Sequence, residues 1–476
     1  MNRTLFQRYR FSAWLILISV TGGIIRAWNI NYASLWGDEL YSMFSVHPSN
    51  SWYEVLYWQR TYQPPLYFMV LWVWVKVFAY TEFYARLLSV LTGTLGILVS
   101  GYLGKKMKNE WAGIAMALLV CFSPVQIWYS LEARFYVFVY LFAALSLWLY
   151  WHIIQTKTKQ PVYYFIKAVV DASLCYFHHF GIVFLFGQFC FDVLLFTRER
   201  DKGLFIRQLG GYFLAGLFYS PWIFWGLPQG YSLKKYWVTE TNITRYFLFS
   251  IDYTPILQVI VAGLILVFLY YYSRRKRLFS YLVLPVICVM VIVIPYLYSI
   301  LKLPILLERY SMVMAPAIYL MMVLGLYEIY QRIRQQVTRA FLLPVVMGLA
   351  FSWSGIYMSF INKDRLKKHP WRQMAGWLKQ QPDFNPAIVY GPHASFKNFR
   401  LLDFYLKGAQ PSHTIEELRV GQDKKMYLVE GTSVWKIPDS ILNRVTASYK
   451  VTRIGFQDEH PDHGAVYVCE LKTAQP

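Results

Sequence analysis

Apolar stretches of about 20 residues, the length at which one helix crosses the hydrocarbon core of a bilayer, recur along most of this chain. Hydrophobic residues make up 57% of its 476 residues and charged residues only 15%, a composition typical of a polytopic α-helical membrane protein and not of a soluble enzyme. The pattern predicts about eleven transmembrane helices. We place them at 11–28, 85–103, 111–129, 135–154, 161–178, 180–196, 208–227, 254–272, 279–299, 310–330 and 340–360.

Basic residues in the loops between these stretches predict the orientation of the chain. Lys and Arg number 47 against 26 Asp and Glu, for a net charge of +21, and every strong basic cluster falls on one side of the membrane if the N-terminus is cytoplasmic. We therefore interpret the positive charge as the signal that orients a cell-membrane protein, and not as a surface that binds nucleic acid. The clusters lie at 105–108, 157–159, 198–207, 274–277 and 332–339.

The apolar segment 66–80 does not fit this series. It is shorter than a membrane-spanning helix, follows Pro64 and Pro65, and carries Lys76. A full span here would put the basic cluster at 105–108 outside, so we predict an interfacial or re-entrant helix on the outer face. The alternative is a short true span that is paired with another, unnoticed one.

The outer face then carries a long first loop, at about 30–85, and the polar segment 361–476. The sequence therefore predicts two domains: a transmembrane domain, 1–360, which includes that loop, and a small extracytoplasmic α/β domain, 361–476. We expect the small domain to act on the acceptor side or to stabilise the protein. Its predicted elements are a helix at 371–381 and strands at 387–390, 426–430 and 465–471.

Asp38 and Glu39 form an acidic pair in the first outer loop. A carboxylate at the membrane boundary can accept a proton from an attacking hydroxyl or amine. In an extended segment, adjacent side chains point apart, so we expect one carboxylate to face a site and the other to brace the loop. The alternative is a solvated pair without a chemical role.

Glu132, Arg134 and Arg309 lie at the outer ends of predicted spans. A guanidinium can hold two oxygens of a phosphate in its planar fork, so the arginines are candidate phosphate ligands. The alternatives are a structural Glu132–Arg134 ion pair between helix ends and an interfacial role for Arg309. On the same side, His178 and His179 turn a helix hairpin; without a third metal ligand at a fitting spacing, we expect a polar hairpin tip.

The sequence resembles glycosyltransferase family 39, the bacterial relatives of dolichyl-phosphate-mannose protein mannosyltransferases and ArnT-like enzymes with the GT-C membrane fold. The resemblance runs from about residue 20 to 400 and depends on an ordered set of motifs. They are Trp36-Gly37-Asp38-Glu39, Gln63-Pro64-Pro65-Leu66-Tyr67, Glu82-Phe83-Tyr84-Ala85-Arg86-Leu87-Leu88-Ser89, Ser123-Pro124, Tyr129-Ser130-Leu131-Glu132-Ala133-Arg134, Arg309-Tyr310 with Pro316, and Pro370-Trp371-Arg372.

The resemblance implies an inverting glycosyltransferase of the cell envelope, which moves a sugar from a polyprenyl-phosphate donor to a lipid, polysaccharide or protein acceptor at the extracytoplasmic face. It makes Asp38 the catalytic base beside Glu39. It assigns donor-phosphate or substrate binding to Gln63, Arg86, Glu132, Arg134 and Arg309. The family often has His where this chain has Gln63, which cannot titrate. A divalent cation is compatible with the family, but the sequence indicates no metal ligands.

A transporter or flippase of lipid-linked glycans is the competing interpretation, because it would also be polytopic and basic. Transporters tend to place ionisable residues near the membrane midplane. Here the clustered charges lie at one face, and among the carboxylates only Asp171, Asp192 and Glu328 fall within predicted spans. The sequence therefore favours the transferase and leaves the sugar and the acceptor open.

Overall fold

The computed structural model describes residues 3–59, 63–226, 255–332 and 370–472, apart from short gaps after Gly391. The gaps are at 392, 395–398, 401, 407–412, 431–436 and 457–463. By its internal contacts the chain forms two compact units. The helical unit comprises Met1–Trp28, Pro48–Ala79 and Tyr84–Asn362, and the loop–sheet unit comprises Asn29–His47, Tyr80–Phe83 and Lys363–Pro476.

Helices account for most of the described chain, and four of them, Gly37–Ser45, Trp371–Lys379, Asp403–Leu406 and Asp439–Ser448, belong to the loop–sheet unit. The helices are α1 (Arg3–Ala27), α2 (Gly37–Ser45), α3 (Trp52–Gln59), α4 (Leu66–Val77), α5 (Glu82–Met107), α6 (Glu110–Phe122), α7 (Pro124–Ser130), α8 (Tyr136–Thr156), α9 (Pro161–Phe177), α10 (Phe180–Glu199), α11 (Lys202–Trp225), α12 (Pro255–Arg274), α13 (Val283–Leu301), α14 (Ala315–Arg332), α15 (Trp371–Lys379), α16 (Asp403–Leu406) and α17 (Asp439–Ser448).

Five helices of the described chain are long and apolar enough to cross a membrane, and the bent pair α6–α7 makes a sixth. This confirms a multi-pass membrane protein. Helices also occupy the predicted spans at 161–178, 208–227, 254–272 and 310–330, whereas 340–360 lies outside the described residues. The count of eleven and the orientation stay predictions, as does an interfacial position for the 12-residue helix α4.

The predicted span at 111–129 is two helices that meet at an angle of 58°. The cause is local, since Pro124 has no N–H for the carbonyl group four residues back and its ring disfavours a helical conformation at Ser123. Ser123 accordingly has extended backbone (φ −63°, ψ 120°) and caps α7 with its hydroxyl, which accepts the N–H of Gln126 at 3.4 Å. The break turns the chain toward the segment that contains Glu132 and Arg134.

A buried polar network joins helices α8 to α11. The Lys167 ammonium and the Asp171 carboxylate are 2.5 Å apart, and Ser146 donates to the other oxygen of Asp171 at 2.6 Å. Tyr150 and Tyr212 each donate to Asp192 at 2.7 Å. Every charge in this network therefore has partners inside the protein, as charges removed from water require.

The loop–sheet unit contains a five-stranded mixed sheet in the order β4-β1-β5-β7-β6. β1 is parallel to β4 and β5, while β7 is antiparallel to β5 and β6. The middle of the central strand β5, residues 426–429, is apolar and buried on both faces of the sheet. The sheet confirms the predicted α/β region, although the pattern missed two of its strands, β4 and β6. The strands are β1 (Val389–Gly391), β2 (His393–Ala394), β3 (Phe399–Arg400), β4 (His413–Thr414), β5 (Lys425–Glu430), β6 (Tyr449–Gly455) and β7 (Ala465–Leu471).

The compact units divide the chain differently from the sequence boundary at 360/361, which lies outside the described residues. Residues 29–47 and 80–83, which the sequence division gives to the transmembrane domain, belong by contact to the unit that contains the sheet. The acidic pair therefore lies in the same compact unit as the C-terminal segment. As a statement about independent domains, the predicted division stays a prediction.

We expect Lys167→Met to lower the free energy of unfolding by about 3 kcal/mol, because it leaves the Asp171 carboxylate buried without its cation. The double variant Lys167→Met/Asp171→Asn should recover most of this loss, since no unpaired charge remains. Thermal unfolding of the detergent-purified protein measures both. Lys105→Met is the control, because its ion pair with Glu110 is solvent-exposed; equal melting temperatures for Lys167→Met and wild type would contradict the prediction.

Candidate active site

The acidic pair lies in the first turn of α2, where the positive end of the helix dipole stabilises carboxylates. Glu39 is buried, and its carboxylate accepts the N–H of Trp36 at 3.2 Å, while Asp38 is half-buried. The segment is thus a helix and not extended as we had assumed when we expected the side chains to diverge. Glu39 nevertheless braces the start of α2, and Asp38 is the more exposed of the two carboxylates.

A second group of candidate residues lies in the helical unit, where the chain turns between α7 and α8. The N–H of Leu131 donates to the carbonyl of Trp128 at 3.0 Å, and the N–H of Arg134 donates to that of Glu132 at 2.8 Å. The indole of Trp128 donates to the Glu132 carboxylate at 2.8 Å. This turn fixes both charged side chains, which are almost completely buried.

Arg134 reaches another segment of the helical unit. Its guanidinium donates to the amide oxygen of Gln63 at 3.2 Å and lies 4.9 Å from the centre of the Phe135 ring. Arg309, in the 3-10 turn Glu308–Val313 before α14, lies 6.0 Å from the ring centre of Tyr136. Gln63 is therefore an acceptor that orients Arg134, a role that needs no titratable group.

His178 completes this group, although the sequence indicated only a polar hairpin tip. Its ring lies 4.4 Å from the Tyr310 ring and 5.2 Å from the Phe135 ring, measured between centres. Burial lowers the pKa of His178 well below its ordinary value, and the charges of His179, Arg134 and Arg309 lower it further. Its Nδ1 accepts the N–H of Phe180 at 3.2 Å, so the neutral ring carries its proton on Nε2.

We call Gln63, Glu132, Arg134, His178 and Arg309 the arginine cluster. It combines two guanidinium groups with a neutral imidazole; Glu132, Arg134 and His178 are buried, and Gln63 and Arg309 are half-buried. The N–H donors of the two arginines and of His178 suit a phosphate group, which offers several acceptor oxygens and negative charge. Nothing in the sequence around His178 indicated this position, because its ring neighbours Phe135 and Tyr310 come from the turn before α8 and the turn before α14.

Arg26, which the sequence analysis did not select, holds the break between α6 and α7. Its side chain is fully buried and donates to the carbonyl of Val120 at 2.8 Å, to that of Cys121 at 3.0 Å, and to the Ser130 hydroxyl at 3.1 Å. The helical partner of the Val120 carbonyl would be the N–H of residue 124, which is a proline. Arg26 replaces the hydrogen bonds that the break removes.

Gly93 on α5 makes room for this arrangement. A Cβ atom at this position would stand 2.2 Å from the Ser130 hydroxyl oxygen and 3.3 Å from Nε of Arg26. Any larger residue would therefore displace the Arg26–Ser130 pair.

No protein-family model and no curated protein matches this chain. Among solved structures it is similar to ArnT from Cupriavidus metallidurans, in the apo state and bound to undecaprenyl phosphate, each with a TM-score of 0.65 and 14% identity over 96% of this chain and 98% of that one. The chain has the GT-C fold.

An oligosaccharyltransferase from Archaeoglobus fulgidus in its apo form is also similar, with a TM-score of 0.52 and 13% identity over 84% of this chain and 64% of that one. These likenesses confirm the GT-C fold that the sequence motifs predicted. Membership of family 39 and the roles of individual site residues stay predictions.

The remaining candidate, Arg86, is buried on α5 of the GT-C fold, one helical turn after Glu82. Among the described residues, no three His, Cys, Asp or Glu side chains converge in a way that could hold a metal ion.

We expect Arg26→Met to destabilise the protein by about 2 kcal/mol, because it leaves two buried carbonyl groups without donors. Adding Pro124→Ala supplies an N–H for the Val120 carbonyl and should restore part of the stability. Thermal unfolding of the two variants measures the loss and its partial recovery, with the exposed Arg10→Met on the same helix as control. A melting temperature of Arg26→Met equal to that of wild type would show that the two carbonyl groups do not depend on Arg26.

Proposed function

We propose that this protein is an inverting membrane glycosyltransferase that moves a sugar from a polyprenyl-phosphate donor to a hydroxyl- or amine-bearing acceptor at the extracytoplasmic face. The observation that carries the proposal is the arginine cluster, in which the buried Arg134 and His178 and the half-buried Arg309 offer donors suited to a lipid phosphate. The similar ArnT structure was solved with undecaprenyl phosphate bound, which supports the same class of donor for this chain.

Arg134 and Arg309 bind the donor phosphate in this proposal. When the glycosidic bond breaks, the shared electron pair stays on the phosphate oxygen and its negative charge increases. Guanidinium groups that are already oriented, as Arg134 is by Gln63 and Phe135, stabilise that charge without reorganising. His178 adds a neutral N–H donor at Nε2, and Arg86 is a further candidate ligand of the phosphate.

Asp38 acts as the base. It takes the proton of the acceptor group as the acceptor oxygen or nitrogen attacks the anomeric carbon from the side opposite the phosphate. One bond to that carbon forms as the bond to the phosphate oxygen breaks, so the products are an inverted glycoside, the polyprenyl phosphate and protonated Asp38. Glu39 fixes the turn that carries Asp38 through its bond to the N–H of Trp36.

The flippase alternative would need ionisable groups within the membrane that serve a pathway. Of the carboxylates within the predicted spans, Asp171 and Asp192 are bonded within the network that joins α8 to α11, and Glu328 forms ion pairs with Arg275 and Arg332. Such bonds are typical of a structural network, so we propose a transferase and not a flippase.

We expect purified wild-type protein to retain a sugar-bearing polyprenyl monophosphate, which mass spectrometry of co-purified lipid would identify. Arg134→Ala should weaken its binding by about 2 kcal/mol, roughly 30-fold, because a charged hydrogen-bond donor to the phosphate is lost. Asp38→Asn should keep the lipid but lower kcat by about 1,000-fold, because the amide cannot accept the proton.

Arg444→Ala and Asp439→Asn, both on α17 of the loop–sheet unit, are the matched controls and should leave lipid and turnover unchanged. A diphosphate-linked glycan in place of the monophosphate would favour the flippase. Undiminished turnover in Asp38→Asn would remove the base assignment while leaving the donor class intact.

A further inference from the structure

Arg372, in the first turn of α15, holds a distant segment of the loop–sheet unit. Its guanidinium donates to the carbonyl of Asn31 at 2.9 Å and to that of Ala33 at 3.1 Å. The same group makes an ion pair with the Glu82 carboxylate, at the start of α5. Three segments that are far apart in the sequence therefore meet at one side chain.

Tyr405, on α16, extends this contact. Its hydroxyl accepts the N–H of Leu35 at 2.7 Å and donates to the Glu82 carboxylate. The N–H of Leu35 also lies 3.2 Å from that carboxylate. We call Glu82, Arg372 and Tyr405 the latch.

The latch acts on irregular backbone directly before α2. Ala33 and Leu35 are buried, so their polar backbone groups need partners inside the protein. The next N–H along the chain, that of Trp36, donates to Glu39 and begins the turn that carries Asp38. The latch thus ends one residue before the structure that fixes the acidic pair.

We propose that the latch is a positioning element for sugar transfer. By fixing residues 31–35 it sets where α2 begins, and through α2 it sets the place of Asp38. The inference rests on the proposed function, in which Asp38 is the base. It gives the C-terminal segment a part in the transfer step, which acts through backbone position and without contact with the reacting atoms.

The test compares Tyr405→Phe, Arg372→Met and Arg372→Lys with wild type. Hydrogen exchange measured by mass spectrometry reports on peptide 29–47, and steady-state kinetics with the co-purified donor lipid separate kcat from the donor KM. Matched controls in the same unit are Tyr467→Phe, which removes a hydroxyl bonded to Glu430, and the exposed Arg444→Met.

We expect faster exchange in peptide 29–47 for Tyr405→Phe and Arg372→Met. Misplacement of a catalytic group by about 1 Å lowers kcat on the order of 100-fold, so we expect about 10-fold for Tyr405→Phe and about 100-fold for Arg372→Met. The donor KM should change by less than about 2-fold, since the arginine cluster is untouched. Arg372→Lys should retain part of the rate, because an ammonium can still bond one carbonyl.

Unchanged exchange in both variants would overturn the inference, as would faster exchange with unchanged kcat. A parallel loss of donor binding and melting temperature would also overturn it, because that pattern shows a merely structural contact. Should Arg372→Met fail to fold, Tyr405→Phe and Arg372→Lys still decide the question. Asp38→Asn, measured alongside, tests the proposed function separately: if it retains turnover, the base assignment fails whatever the exchange data show.

Discussion

The bonds from Arg26 to the carbonyl groups of Val120 and Cys121 are the interaction on which the turn between α7 and α8 in the helical unit depends. Inside a bilayer an unsatisfied backbone group costs several kcal/mol, so a helix breaks there only where another donor or acceptor is supplied. Pro124 breaks the helix, and Arg26 supplies donors to the carbonyl groups that the break affects. Because α7 leaves α6 at 58°, the chain turns into the segment that carries Glu132 and Arg134.

In the loop–sheet unit, too, an arginine supplies hydrogen-bond donors to backbone carbonyl groups. Arg372 satisfies the carbonyl groups of Asn31 and Ala33, in irregular backbone before the acidic pair. A guanidinium suits this task because it presents five N–H groups in one rigid plane and stays charged when partly desolvated. Neither Arg26 nor Arg372 takes part in the proposed chemistry. Each fixes backbone that leads to a residue that does, Arg134 in the helical unit and Asp38 in the loop–sheet unit.

Local patterns account for what the sequence predicted well. Helices stand at the predicted spans within the described chain because apolar length is a property of each segment by itself. The α/β nature of the C-terminal segment followed from short apolar strands such as β5 and β7. The break at Pro124 was a local signal too, but the length of the apolar run from 111 to 129 outweighed it, and the single predicted span is two helices. The motifs selected Asp38, Arg134 and Arg309 without indicating what holds them.

The sequence by itself determined the membrane character, the GT-C motifs and the acidic pair, because these depend on neighbouring residues. Only the tertiary structure decided that Arg26 bonds carbonyl groups 94 and 95 residues away, that His178 joins the arginine cluster, and that Arg372 bonds Glu82 across 290 residues. The residues that surround a charged residue in the sequence do not indicate which distant group it will bond. The partner is chosen by folding, because burial makes every polar group depend on whichever donor or acceptor the packing brings within reach.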